Sequence, residues 1–246
     1  MIFIITRTIL RSNLRLLDCI IRPKELIDKA IELGLAGIAV TDHESLGAHV
    51  ELDKLQDKYR DTNSDFKIVR GNEIYLTDTR DTGQQYYHHI LIALDSLGHK
   101  MLRELSSTAW MNSYYDRGME RVPTLKNEVE DVVRRYGQGH IYASTACLGS
   151  ELDKAILELH EAEMLGNITG EKQAHDKIVT FLEWCINTYG EGNFSLEVQP
   201  AQSEDQIIVN KRMSSIAKAF GLPICITCDS HYLRKEDRYI HKAFLN

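Results

Sequence analysis

Short apolar runs alternate with amphipathic helical stretches along nearly the whole chain, and this alternation restricts the fold more than any other feature. Residues 1–5 (MIFII) read as a first strand. After Pro23, a residue suited to the first turn of a helix, KELIDKAIELG (24–34) sets apolar side chains at Leu26, Ile27, Ala30, Ile31 and Leu33 and stops at Gly34. AGIAVTD (36–42) follows as a strand and 48–59 as a helix. Residues 67–69 form a strand leading into GNEIYLTD (71–78), and HHILIAL (88–94) is a strand before a helix near 99–106. Helix 126–137, a strand and turn over 140–149, helices 151–165 and 169–189, strand 194–199, helix 205–220 and strand 223–229 complete the series. Residues 107–123 carry Trp110, Tyr114 and Tyr115 without a period. The alternation predicts a parallel α/β fold, either a barrel or a doubly wound sheet. A chain of 246 residues suffices for one large domain or two small ones.

Polar residues with ligand chemistry recur where these strands end. Asp42 and His43 follow AGIAV, Glu73 follows KIVRGN, His88 and His89 open ILIAL, Cys147 ends IYASTA, and Asp229 and His231 follow PICITC. In barrels and open α/β sheets, sites form at the carboxyl ends of several strands. A single strand-end histidine is usually structural, whereas five such ends bearing only His, Asp, Glu and Cys point to a metal site. Carboxylate with imidazole suits zinc, manganese or iron, and a thiolate shifts the balance towards zinc. More than four ligands imply more than one metal, and paired metals suit phosphoester hydrolysis because they activate water and hold the leaving oxygen.

The bulk charge excludes some readings. With 29 basic and 36 acidic residues the net charge is −7, so composition gives no support for sequence-independent duplex binding, although a local basic groove is compatible with it. The five cysteines, an odd number in a chain of this length, fit free thiols in a reducing cytosol. Cys225 and Cys228 have CxxC spacing but lie in the apolar run LPICIT and its edge, which strand alternation explains better than a redox or zinc motif. The apolar start is short and has no cleavage pattern, and no later stretch approaches about twenty apolar residues, so neither signal peptide nor membrane span is expected.

The segments TDHESLGA (41–48), GNEIYLTD (71–78), HILIAL (89–94), STACLGSEL (144–152) and TCDSHYL (227–233) resemble, in order, the motifs of the PHP (polymerase and histidinol phosphatase) domain. In particular they resemble the version at the amino terminus of the bacterial DNA polymerase III alpha subunit and its phage-encoded relatives. SNLRLLD (12–18) and the closing IHKAFLN (240–246) share the resemblance. It implies a PHP-type distorted (β/α)7 barrel, a single domain over 1–246, with the metal site at the carboxyl ends of the strands. It implies metal ligands at Asp18, His43, Glu73, His89, Cys147, Asp229 and His231, for divalent zinc, manganese or iron. General acid and base roles fall among Asp42, His43, Asp229 and His231, with Asp42 beside the ligands. His88, one residue before the motif histidine, is left as a strand-end residue. His49, His99, His140, His160, His175 and His241 match no ligand position.

The resemblance further implies a cytoplasmic role in DNA replication. The module can act in that family as a metal-dependent 3′–5′ exonuclease, meets the 3′ end of DNA through the full polymerase, and packs against the polymerase body and other replisome proteins. Palm, fingers and thumb are not in this sequence. One departure stands out: the family's first strand ends in His-x-His, where this chain has Thr6 and Thr8 around Arg7. Threonine is a poor ligand for a transition metal. Either the metal cluster has decayed in a domain kept for structural docking, or residues 1–11 are not the natural start. A free-standing histidinol-phosphate-type phosphatase is the third alternative, and the closing IHKAFLN favours the polymerase context over it.

Overall fold

A computed structural model describes residues 3–6, 21–62, 65–81, 83–116 and 118–244, with 3–6 and Phe244 described through the backbone alone. The chain forms two compact units, residues 1–72 with 228–246, and residues 73–227.

In the first unit, β1 (Phe3–Thr6), β2 (Gly37–Val40) and the first half of β3 (Lys67–Thr77) pair in parallel, with Thr6 opposite Val40 and Val40 opposite Arg70. All four residues of β2 are buried, as befits a central parallel strand covered on both faces. Helix α1 (Pro23–Glu32) starts on proline, buries Leu26, Ile27 and Ala30, and is followed by Gly34 at φ 69°, a left-handed turn that glycine adopts without strain. Its apolar stripe joins Ile21, Ile38, Val40 and Phe66, together with Leu52 of α2 (His49–Tyr59), in one core. Each large aliphatic side chain buried there contributes about 2 kcal/mol of transfer free energy. A 3-10 turn (Lys235–Asp237) and α8 (Arg238–Phe244) belong to the same unit.

In the second unit, the sheet runs from the second half of β3 through β4 (Tyr87–Ala93), β8 (Ile141–Thr145) and β9 (Phe194–Val198) to β10 (Ile224–Ile226), with β7 (Pro123–Leu125) also paired to β3. Its helices are α3 (Ser96–Met111), α4 (Lys126–Tyr136), α5 (Glu151–Leu165), α6 (Ile168–Tyr189) and α7 (Glu204–Phe220). Strands β8, β9 and β10 are mutually parallel, but β4 runs antiparallel to β8. This departs from the all-parallel expectation. Only residues 78–86 join β3 to β4, too few for a crossover helix, so the chain reverses there. The stretch without a sequence period extends α3 to Met111 and then folds as a hairpin of β5 (Tyr114–Asp116) and β6 (Met119–Arg121). Strands of three residues are too short to display an alternation.

Helix α5 is capped by Ser150, whose hydroxyl accepts from the Asp153 N–H at 3.1 Å and donates to Asp153 Oδ1 at 2.8 Å. The Asp153 carboxyl is buried, and burial raises its pKa to about 8 against the opposing pull of Ser150 and Lys154.

Candidate metal centre

The reversal of β4 decides what gathers at one end of the second unit's sheet. In the β4–β8 ladder His89 lies opposite Thr145, the last residue of β8, so the amino-terminal end of β4 meets the carboxyl end of β8. His88 is thereby carried to Cys147, two residues past β8, and to Glu73 on β3. Its Nδ1 lies 2.8 Å from Glu73 Oε1 and 3.3 Å from Cys147 Sγ. The Glu73 side chain is 2% exposed, that of His88 25%. The Tyr75 ring, two residues along β3 from Glu73, meets the His88 ring edge-on at 5.3 Å between centroids. The His88 N–H donates to the Gly149 carbonyl at 3.0 Å. The imidazole thus meets both a carboxylate and a thiol, and Glu73 and His88 present ligand atoms close enough to share one ion. This donor set suits zinc.

His89 points the other way, because successive strand residues face opposite sides of a sheet. Its ring is buried, stacks on Tyr189 at 5.7 Å, packs near Phe181, Trp184 and Phe194, and shares a 2.9 Å hydrogen bond with the Tyr189 hydroxyl. Burial, with a smaller contribution from Lys126, lowers its pKa to about 3, so the ring is neutral. Sequence reasoning assigned His89 to the ligands and left His88 at the strand end. The structure brings His88, not His89, to Glu73 and Cys147. Ile90 and Leu91 are both buried, so the apolar run hides the phase of the strand. Only the reversed direction of β4 reveals which histidine faces the site.

In the first unit, Asp42 and His43 follow β2 directly, as expected. Asn72 Nδ2 donates to the Asp42 carbonyl at 2.7 Å and reaches the Ser45 carbonyl at 3.4 Å, tying this turn to β3 one residue before Glu73. Glu44 takes φ 49° in the turn and is buried. His49 is buried as well, with Nε2 3.0 Å from the Gly71 carbonyl, which gives it a structural role. At the other end of the unit, Asp229 adopts φ 43°, and His231 Nδ1 donates to its carbonyl at 2.8 Å. The His231 and His241 rings lie 5.3 Å apart. Asp18 and Thr8 lie outside the described residues, and Thr6 is the last residue of β1. No disulfide joins the four described cysteines, Cys147, Cys185, Cys225 and Cys228. Among the described residues no helix is long and apolar enough to cross a membrane.

Comparison with known proteins gives this geometry a context. The PHP domain family matches residues 9–201. The chain is 44% identical to the DNA-directed DNA polymerase of Bacillus phage SPbeta over 247 residues, covering 96% of this chain and 19% of that protein. It is 29% identical to the DNA polymerase III subunit alpha of Borreliella burgdorferi, covering 92% of this chain and 18% of that one. The chain therefore spans about a fifth of the length of these relatives. Among solved structures, a candidate metal-dependent phosphoesterase from Bifidobacterium adolescentis has a TM-score of 0.50 at 14% identity, covering 94% of this chain and 87% of that one. An amidohydrolase from Chromobacterium violaceum has a TM-score of 0.50 at 12% identity, covering 98% and 96%. Both are likenesses of fold.

Proposed function

The chain belongs to the PHP domain family, and on that premise we propose that it is a metal-dependent phosphodiesterase module, a 3′–5′ exonuclease within a chain of the DNA polymerase III alpha type. Its fold is the PHP-type α/β fold that the sequence led us to expect. The observation that carries the proposal is the meeting of Glu73, His88 and Cys147 at the carboxyl end of β8. A carboxylate on β3, 2% exposed, an imidazole on β4 and a thiol in the turn after β8 bring together side chains of the types that hold divalent metals.

Glu73, His88 and Cys147 would hold divalent zinc, manganese or iron, with the family's remaining positions, Asp18, His43, Asp229 and His231, contributed by resemblance. When bound, such metals supply charge stabilisation at a phosphoryl oxygen and activation of water. The chain's own residues supply the rest. Glu73 would offer a carboxylate oxygen and His88 a ring nitrogen to such a cation. Hydrolysis consumes one water, breaks the P–O3′ bond, and releases a 5′-mononucleotide and a new 3′-hydroxyl end. One group must take a proton from water and another must give one to the leaving oxygen. Asp42, His43, Asp229 and His231 carry those roles by resemblance. Polymerisation belongs to the remaining four-fifths of such a chain. By the same resemblance the module would meet the 3′ end of DNA through the full polymerase and pack against the polymerase body and other replisome proteins, in a cytoplasmic setting.

Thr6 and Thr8 favour one further reading, a docking module of the replisome whose residual ligands bind one metal or none. Elemental analysis of chain purified without chelator separates the two. Two or three metal equivalents, with release of mononucleotides from single-stranded DNA, support the exonuclease. One equivalent or none, without nuclease activity, supports the docking module. Ready turnover of small phosphate monoesters would replace both by a phosphatase.

A further inference from the structure

We propose that Gly149 is the positioning residue that seats His88 in the metal centre. The inference rests on the reading of Glu73, His88 and Cys147 as metal ligands, and it names what makes that cluster possible. Four residues flank the imidazole of His88, whose side chain remains 25% exposed. Glu73 Oε1 and Cys147 Sγ lie at 2.8 and 3.3 Å from Nδ1. The Tyr75 ring stands edge-on at 5.3 Å. The fourth is Gly149, which accepts the His88 N–H at 3.0 Å and lies directly under the ring.

A Cβ built on Gly149 would fall 2.9 Å from His88 Cγ and 3.0 Å from both Cδ2 and Nδ1. These are the inner atoms of the ring, close to the β4 backbone, not the far end of a flexible chain, so a small adjustment does not relieve the contact. The backbone does not itself require glycine here, because Gly149 is not among the residues of positive φ. The space taken by the His88 ring is therefore what excludes a side chain at position 149. The turn also ties ring and thiol together, since the Ser150 N–H donates to the Cys147 carbonyl at 2.8 Å across Gly149. Glycine at 149 thus lets the imidazole lie against the same turn that presents the thiol. A methyl group there turns the ring away from both Glu73 and Cys147.

The test is a double-mutant cycle between Gly149→Ala and His88→Ala, read by Co(II) affinity, the thiolate–Co(II) absorption band and the thermal midpoint of the metal-free chain. Co(II) affinity should fall by about tenfold or more in Gly149→Ala, the range for residues that orient ligands, with the thiolate band weakened. In the His88→Ala background, Gly149→Ala should be silent in affinity and in thermal midpoint alike, because the ring it displaces is gone. A Gly149→Ala effect that persists without His88 overturns the inference, whether or not the single variant folds well. Unchanged affinity in Gly149→Ala alone, with affinity lost in His88→Ala, overturns it too while leaving the metal reading standing. If His88→Ala itself leaves Co(II) affinity intact, the metal reading falls and the inference with it.

Discussion

His88 and His89 are consecutive in β4 yet do opposite work: the first lies 2.8 Å from the Glu73 carboxylate, and the second is sealed against Tyr189 on the other face of the sheet. Substitution should separate them. His89→Ala removes a ring packed among four aromatic side chains and should cost about 2–4 kcal/mol by leaving a cavity. His88→Ala takes a hydrogen-bonding partner from the buried Glu73 carboxylate, which should cost about 1–3 kcal/mol, and unlike His89→Ala it should weaken metal binding. Urea unfolding and Co(II) titration of both variants decide the matter. A stable His89→Ala chain with weakened metal binding would reverse the assignment.

A second prediction concerns Asn72. Its side-chain amide donates to the Asp42 carbonyl from a buried position, and this bond fixes the turn that carries His43. Asn72→Ala removes this buried donor from the Asp42 carbonyl and should destabilise the chain by about 1–3 kcal/mol. Asn72→Asp should be worse at neutral pH, since a carboxylate has no proton to give and would face two carbonyls. Equal unfolding midpoints for Asn72→Asp and the parent chain would remove the tether from the account.

The contrast between these two residues shows what sequence could and could not tell. Asp42 and His43 were legible because β2 is short, wholly apolar and ends abruptly, so the polar pair marks the strand end without ambiguity. Helix boundaries at Gly34 and Gly137 were legible for a similar reason, each being the point where a periodic stripe meets a residue of positive φ. His88 was not legible. Its strand is apolar on both faces, and its direction depends on a nine-residue connection whose effect is felt only when β4 pairs with β8. The β5–β6 hairpin was hidden because three-residue strands hold no period, and the role of Asn72 was hidden because its partner lies 30 residues away.

Asp153 supplies a pH dependence with a defined sign. Its folded pKa, about 8, lies above that of an exposed carboxylate, about 3.9. The native chain therefore keeps this proton over a range in which the unfolded chain has released it. The neutral carboxyl contributes its full stability below about pH 4, and that contribution declines as pH rises towards 8, by at most about 1.4 kcal/mol per pH unit. Asp153→Asn retains an acceptor for the Ser150 hydroxyl and removes the titration. The variant should gain stability relative to the parent chain between pH 5 and 8, measured by denaturant midpoints at fixed ionic strength. Parallel stability curves over that interval would show that Asp153 is ionised in the native chain.

The last prediction addresses the two threonines. Thr6 closes β1 and pairs with Val40, three residues before His43, so position 6 stands at the carboxyl end of its strand beside the strand that leads to the Asp42–His43 turn. A hydroxyl there offers a transition metal little, whereas an imidazole at the same position is a strong donor. Thr6→His together with Thr8→His should therefore raise the number of metal equivalents retained after dialysis, and should raise Co(II) affinity by about tenfold or more if even one new imidazole binds with a free energy above about 1.4 kcal/mol. An unchanged metal content in the double histidine variant would leave the proposed loss of function through Thr6 and Thr8 without a physical basis.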